Sequence, residues 1–295
     1  MSITVTDLRV HPGDSAFLVD DGKTAVLYDT GFAFTGATVA EKLASILGDR
    51  SLDAIFLTHS HYDHALGSVY VSRRYPDAKI YADAYAAKIF AKPTARQVMR
   101  DLDRKCALSC GVTAYEDLID TLHVDVPVRD GDAITVGGMT FTVVALPGHT
   151  RCSVGYYLAL EKILLSCETL GVYDGDKQVV PSLLVGCETT FSSIDKALAL
   201  DIRQIVLPHI GLLSEEKTAF YLSNTKKSAV FTAESIAEIL RRGGTKDDAI
   251  AWFRETFYHG SVVDMYPEDA MLLNTGIMID LVERELVAPQ RETEA

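Results

Sequence analysis

Residues 54–64 read Ala54-Ile55-Phe56-Leu57-Thr58-His59-Ser60-His61-Tyr62-Asp63-His64. The first four are apolar and include a β-branched residue, which predicts a short buried strand. Four metal-ligand side chains then fall within six residues. Strand alternation alone cannot aim four ligands at one point, but a turning loop can. Ala65 and Gly67 behind it are small enough to begin a helix in tight quarters. Imidazole and carboxylate together favour zinc or iron over calcium or magnesium, which prefer all-oxygen shells. The competing reading is a polar turn rich in histidine by chance, and it leaves the apolar run before the cluster unexplained.

Two more histidines follow apolar runs in the same way. Phe141-Thr142-Val143-Val144-Ala145 precedes Leu146-Pro147-Gly148-His149-Thr150, and Ile205-Val206 precedes Leu207-Pro208-His209-Ile210-Gly211. Five of the eight histidines therefore sit in strand-then-turn motifs. His11, His123 and His259 have no ligand spacing and are expected to be structural or on the surface. Ile163-Leu164-Leu165-Ser166 leads into Cys167-Glu168, and Ala25-Val26-Leu27-Tyr28 leads into Asp29-Thr30-Gly31.

The run His-x-His-x-Asp-His after a strand, with the later histidine motifs, resembles the metallo-β-lactamase superfamily over roughly residues 1–213. The resemblance implies an α/β fold, an αββα sandwich, with metals at one sandwich edge. It implies a first site of His59, His61 and His149, and a second of Asp63, His64 and His209. A bridging carboxylate would be supplied by Glu168, where the family usually has Gly-Asp. Cys167 is the rival at that position, since thiolates also bind zinc. Neighbouring strand residues face opposite ways, so one of the two reaches the metals. Pro208 stands where family members often have Gly. Asp29 would orient a ligand histidine.

The implied cofactors are two divalent metal ions, zinc or iron. The implied activity is metal-dependent hydrolysis of an ester, thioester, amide or phosphoester of a small molecule. Asp63 would be both ligand and catalytic residue, holding or shuttling the proton of the attacking water. Two alternatives belong to other classes. A redox di-iron protein would carry Glu where His61 stands and usually a flavin domain. A low-turnover ligand-binding or signalling member would not need all seven ligand positions filled.

Composition fits this reading. The chain has 295 residues and a formal charge of −13. Arg73-Arg74 and Arg241-Arg242 are isolated pairs, so no basic stripe marks a nucleic-acid partner. The start lacks a signal-peptide pattern, and no apolar run has the length of a membrane span. Five cysteines without a Cys-x-x-Cys argue for a reducing, cytoplasmic setting.

The expected organisation is a metal-binding domain over 1–213 and a C-terminal helical extension over 214–295 that covers the site. The oligomeric state is not legible. Residues 16–28 predict a hairpin turning at Asp20-Asp21-Gly22, and Val39–Leu47 and Pro93–Cys110 predict helices. Residues 169–192 read as a long loop containing Tyr173, Pro181 and Cys187. Two helices are expected from Ser214 and Thr232, then others after Thr245 and Pro267, with a frayed tail from Ala288.

Overall fold

Apolar runs too short for helices fill two six-stranded sheets in a computed structural model that describes residues 3–289. The first sheet has the spatial order β1 (Thr4–Asp7), β2 (Phe17–Asp20), β3 (Ala25–Tyr28), β4 (Ala54–Phe56), β5 (Lys79–Asp83) and β6 (Val126–Val128). β1, β2 and β3 are antiparallel, as the Asp20-Asp21-Gly22 turn predicts. β3 to β6 are parallel, joined by helical crossovers. The second sheet is built from β7 (Ala133–Val136), β8 (Met139–Ala145), β9 (Val154–Leu158), β10 (Ile163–Leu165), β13 (Gln204–Leu207) and β14 (Gly211–Leu212). A small hairpin, β11 (Val172–Tyr173) with β12 (Val179–Val180), stands apart from both.

The two sheets pack face to face. Phe17, Tyr28 and Phe56 of the first meet Phe141, Tyr156 and Leu165 of the second in one buried cluster. Phe56 stacks on Tyr156, with ring centroids 4.5 Å apart. Helices α1 (Ala33–Leu47), α2 (Tyr62–Ala65), α3 (Ser68–Arg74), α4 (Ala84–Phe90) and α5 (Pro93–Ser109) lie on the outer side of the first sheet. α6 (Cys187–Leu198) and α7 (Glu215–Arg241) cover the second. This is the αββα order, and it explains why central strands such as β2, β3 and β4 are buried on both faces. α8 (Lys246–Phe257), α9 (Val262–Met265) and α10 (Glu268–Val282) pack with the second half of α7 in a separate apolar cluster.

Four elements differ from the sequence expectation. α1 begins at Ala33 rather than Val39, because the Asp103 carboxylate accepts from the Ala33 N–H at 2.8 Å. That cap comes from 70 residues away and leaves no local signal. The expected loop over 169–192 contains the β11–β12 hairpin, and Cys187 opens α6 instead of lying in the loop. Asp174 closes the hairpin by accepting from the N–H groups of Asp176, Lys177 and Gln178. The two helices expected after Ser214 are one, the 27-residue α7 capped by Ser214. No glycine or proline interrupts 215–241, so the polar stretch in its middle does not break it. Residues 290–295 of the expected frayed tail lie outside the described residues. Among the described residues no helix is long and apolar enough to cross a membrane.

Asp103 also gives a testable pH dependence. It is fully buried and accepts from Ala33 and from the Tyr115 hydroxyl. Burial raises its carboxyl pKa from 3.8 to about 6. A folded-state pKa above the unfolded one favours the fold when the group is protonated, and that contribution is lost as pH rises through 6. Asp103→Asn removes the charge and keeps an acceptor. Its stability relative to the parent should therefore improve by about 1 kcal/mol between about pH 5.5 and about pH 8. Denaturant unfolding at both pH values measures this, and a difference independent of pH would contradict it.

Candidate metal centre

Each chemistry-bearing loop leaves the carboxyl end of a strand. Asp29 follows β3, His59 to His64 follow β4, His149 follows β8, Glu168 follows β10 and His209 follows β13. β3 and β4 run parallel, as do β10 and β13, so these ends collect at one edge of the sandwich. The two sheets are tied together there. The Val154 N–H donates to the Thr58 carbonyl at 2.9 Å, and the Tyr28 hydroxyl donates to the Ser166 carbonyl.

The loop over 58–67 is held from below by residues 29–31. The Thr30 N–H and hydroxyl both donate to the His64 carbonyl, at 2.8 and 2.7 Å. Gly67 is required by the same contact: a Cβ there would lie 1.9 Å from the Thr30 carbonyl oxygen. His209 adopts a left-handed backbone with φ 63°, strained for a residue with a side chain. The Arg9 guanidinium donates to its carbonyl and helps hold that turn.

All seven ligand positions expected from the sequence come together. The ligand atoms of His59, His61 and His149 lie within 4.8 Å of one another, as do those of Asp63, His64 and His209. Glu168 groups with His59 and His64. Its Oε1 lies 2.8 Å from His64 Nε2 and 3.2 Å from His209 Nε2, and its Oε2 lies 3.6 Å from His59 Nδ1. Cys167 turns the other way, into an apolar cluster with Leu146, Leu164 and Tyr173. Burial pushes its thiol up to about 12. His11, His123 and His259 belong to none of these groups.

The outer partners fix how the rings present themselves. His64 Nδ1 donates to Asp29 Oδ2 at 2.7 Å, and His209 Nδ1 donates to the Asp14 carbonyl at 3.1 Å. Both rings thus turn Nε2 toward the centre, the nitrogen that would face a metal. Asp29 is the orienting residue expected from the sequence, and it also accepts from Ser15, from Thr58 N–H and from the Thr58 hydroxyl. Sequence reasoning missed Ser182, whose hydroxyl lies 2.6 Å from His149 Nδ1, and Asp14. It also missed Cys152, a buried thiol 3.3 Å from Ser60 Oγ and from Thr150 Oγ1. None of the three carries a local motif.

The electrostatics suit a cation. Burial lowers the pKa of His59 and His61, and that of His149 to about 3, so these rings are neutral near pH 7. Burial opposes charge on His64 as well, but Glu168, Asp63 and Asp29 outweigh it and raise its pKa. Burial likewise opposes ionisation of Asp63, yet His64 and its neighbours bring it down to about 2. Glu168 is 3 % exposed, and neither of its oxygens has an aligned hydrogen-bond donor. His59 Nε2 is also buried without a partner. A buried carboxylate without donors is costly unless a positive charge stands beside it.

A family model described as the metallo-beta-lactamase superfamily matches residues 12–209. The chain belongs to the metallo-β-lactamase superfamily. An uncharacterized protein of Mycobacterium leprae (strain TN) is 28% identical over 200 residues, covering 64% of this chain and 82% of that one. A hydroxyacylglutathione hydrolase of Yersinia pestis (strain Pestoides F) is 29% identical over 140 residues, covering 48% of this chain and 41% of the relative. The match thus spans less than half of that enzyme. A metallo-beta-lactamase family protein of Thermus thermophilus shares the fold, with a TM-score of 0.63 at 18% identity over 96% of this chain and 93% of that one. The residues matched by the family model take in the sandwich, and the helical region over 215–287 follows them.

A cavity of about 370 Å³ opens above the centre. His61, Asp63, His64, His149, Glu168 and His209 form its floor. One wall comes from α5, one from the segment carrying Val180, Pro181 and Ser182, and one from the segment 265–274.

Proposed function

We propose that this chain is a dinuclear metal-dependent hydrolase of a small-molecule ester, thioester, amide or phosphoester. His59, His61 and His149 would hold one ion, and Asp63, His64 and His209 the other. Glu168 would bridge them. Zinc or iron fits a donor set of imidazoles and carboxylates. The observation that carries the reading is the pair of Glu168 oxygens, buried, without aligned donors, and within 2.8–3.6 Å of three histidine rings.

Two ions at this edge would supply an activated water and charge stabilisation for a developing oxyanion. The rest of the chemistry falls to the chain. Asp29, Asp14 and Ser182 orient His64, His209 and His149. Asp63 is 21% exposed at its side chain and faces the cavity, the placement needed to accept and return a proton. The residues of α9 and α10 that line the cavity close it on the C-terminal side. We propose that the region from 214 onward is the cover of this site rather than an independent module.

Elemental analysis of metal-replete protein should give about two ions per chain, and stripping them with a chelator should abolish hydrolysis across an ester, thioester and phosphoester panel. A stoichiometry held at one ion, or turnover that survives complete stripping, would overturn the reading.

A further inference from the structure

The walls of the cavity differ from its floor. Leu102, Val172, Val180, Pro181, Met265 and Leu273 line it and make most of its upper surface apolar. Leu273 is 62% exposed and Leu102 39%, so the apolar lining continues out to the rim. Among the described lining residues Lys105 is the only lysine or arginine, and it is ion-paired with Asp269 of α10. Asp63, Glu168 and Asp269 place three carboxylates in the same lining. Above the metal floor, then, no unpaired basic side chain is available to hold an anionic substituent, and a large share of the wall favours hydrocarbon.

Resting on the hydrolase reading above, we propose that the natural substrate is a neutral ester with an apolar acyl group. The acyl chain lies against Leu102, Leu273 and the Val180–Pro181 wall, and its carbonyl faces the floor. Hydrolysis then breaks the acyl C–O bond, with water giving its hydroxyl to the acyl carbon and its proton to the departing alcohol. Neither the acyl group nor the alcohol carries a phosphate, sulfate or carboxylate. The Lys105–Asp269 pair works as a charge filter at the rim, because it leaves the lysine occupied.

The test uses metal-replete protein and p-nitrophenyl esters. From acetate to hexanoate, kcat/KM should rise about tenfold or more, which is part of the three- to fourfold per buried methylene that full transfer would give. The hemisuccinate, whose acyl group ends in a carboxylate, should fall below the acetate. Leu273→Glu should erase the rise with chain length. Asp269→Asn should free Lys105 and raise the hemisuccinate relative to the hexanoate. A flat series, or a preference for the hemisuccinate, overturns the proposal while leaving the hydrolase reading intact. If no ester is cleaved while the thioester or phosphoester panel is, the ester proposal is overturned and the hydrolase reading stands; if nothing in the panel is cleaved, the hydrolase reading fails. Calorimetry should show N-methylhexanamide binding about tenfold tighter than the same amide whose acyl chain ends in a carboxylate, with Leu273→Glu removing the difference. Equal binding, or tighter binding of the carboxylate, overturns the proposal.

Discussion

Replacing Glu168 by Gln should remove about one metal ion per chain and lower kcat/KM by about 10²-fold or more. The amide keeps the size of the side chain but not its charge. In the parent, both carboxylate oxygens are buried beside three histidine rings and lack aligned donors, a setting that a metal cation between carboxylate and rings would satisfy. An amide at that point offers one neutral oxygen to two positive centres. Cys167→Ser should behave differently. Its side chain lies among Leu146, Leu164 and Tyr173, so a hydroxyl there costs about 1–3 kcal/mol of stability and leaves the metal content unchanged. Glu168→Asp restores the residue usual in the superfamily but falls one methylene short for this backbone, and partial activity is expected. Elemental analysis with steady-state kinetics on the three variants checks the ranking. Retained metal in Glu168→Gln alongside metal loss in Cys167→Ser would move the ligand to the thiol.

Asp29→Ala should destabilise the fold by about 3–5 kcal/mol and weaken metal binding by about 10–100-fold. The residue is fully buried and its carboxylate accepts from Ser15, from Thr58 twice and from His64. Removing it leaves those donors buried without an acceptor. It also frees the His64 ring to rotate or change tautomer, which turns its Nε2 lone pair away from the centre. The two effects are separable. Urea unfolding of metal-free protein reads the first, and metal titration of the folded variant reads the second. Stability within about 1 kcal/mol of the parent, with unchanged metal affinity, would show that Asp29 only shapes its turn.

These residues also mark how far the sequence could be read. His59, His61, Asp63 and His64 were legible because they crowd into one loop after one strand. His149 and His209 were legible because each repeats the strand-then-turn pattern. Glu168 needed the family resemblance to be preferred over Cys167, and the opposite faces of the two side chains are visible only in the folded chain. Ser182 and Asp14 were not legible, since they meet His149 and His209 across 33 and 195 residues. The same holds for elements. The β2–β3 hairpin announces itself through its turn, whereas the start of α1 depends on Asp103, a side chain from another helix. The β11–β12 hairpin pairs two residues on each side, too few for any alternation to show.

The central claim is that two metal ions share the Glu168 carboxylate, and anomalous scattering from crystals of metal-replete protein tests it most directly. Maps recorded at the zinc and iron edges should show two peaks per chain. One should lie among His59, His61 and His149, the other among Asp63, His64 and His209, each about 2.0–2.2 Å from a Glu168 oxygen. A single peak, or two peaks with Glu168 beyond coordination distance of either, would contradict the account.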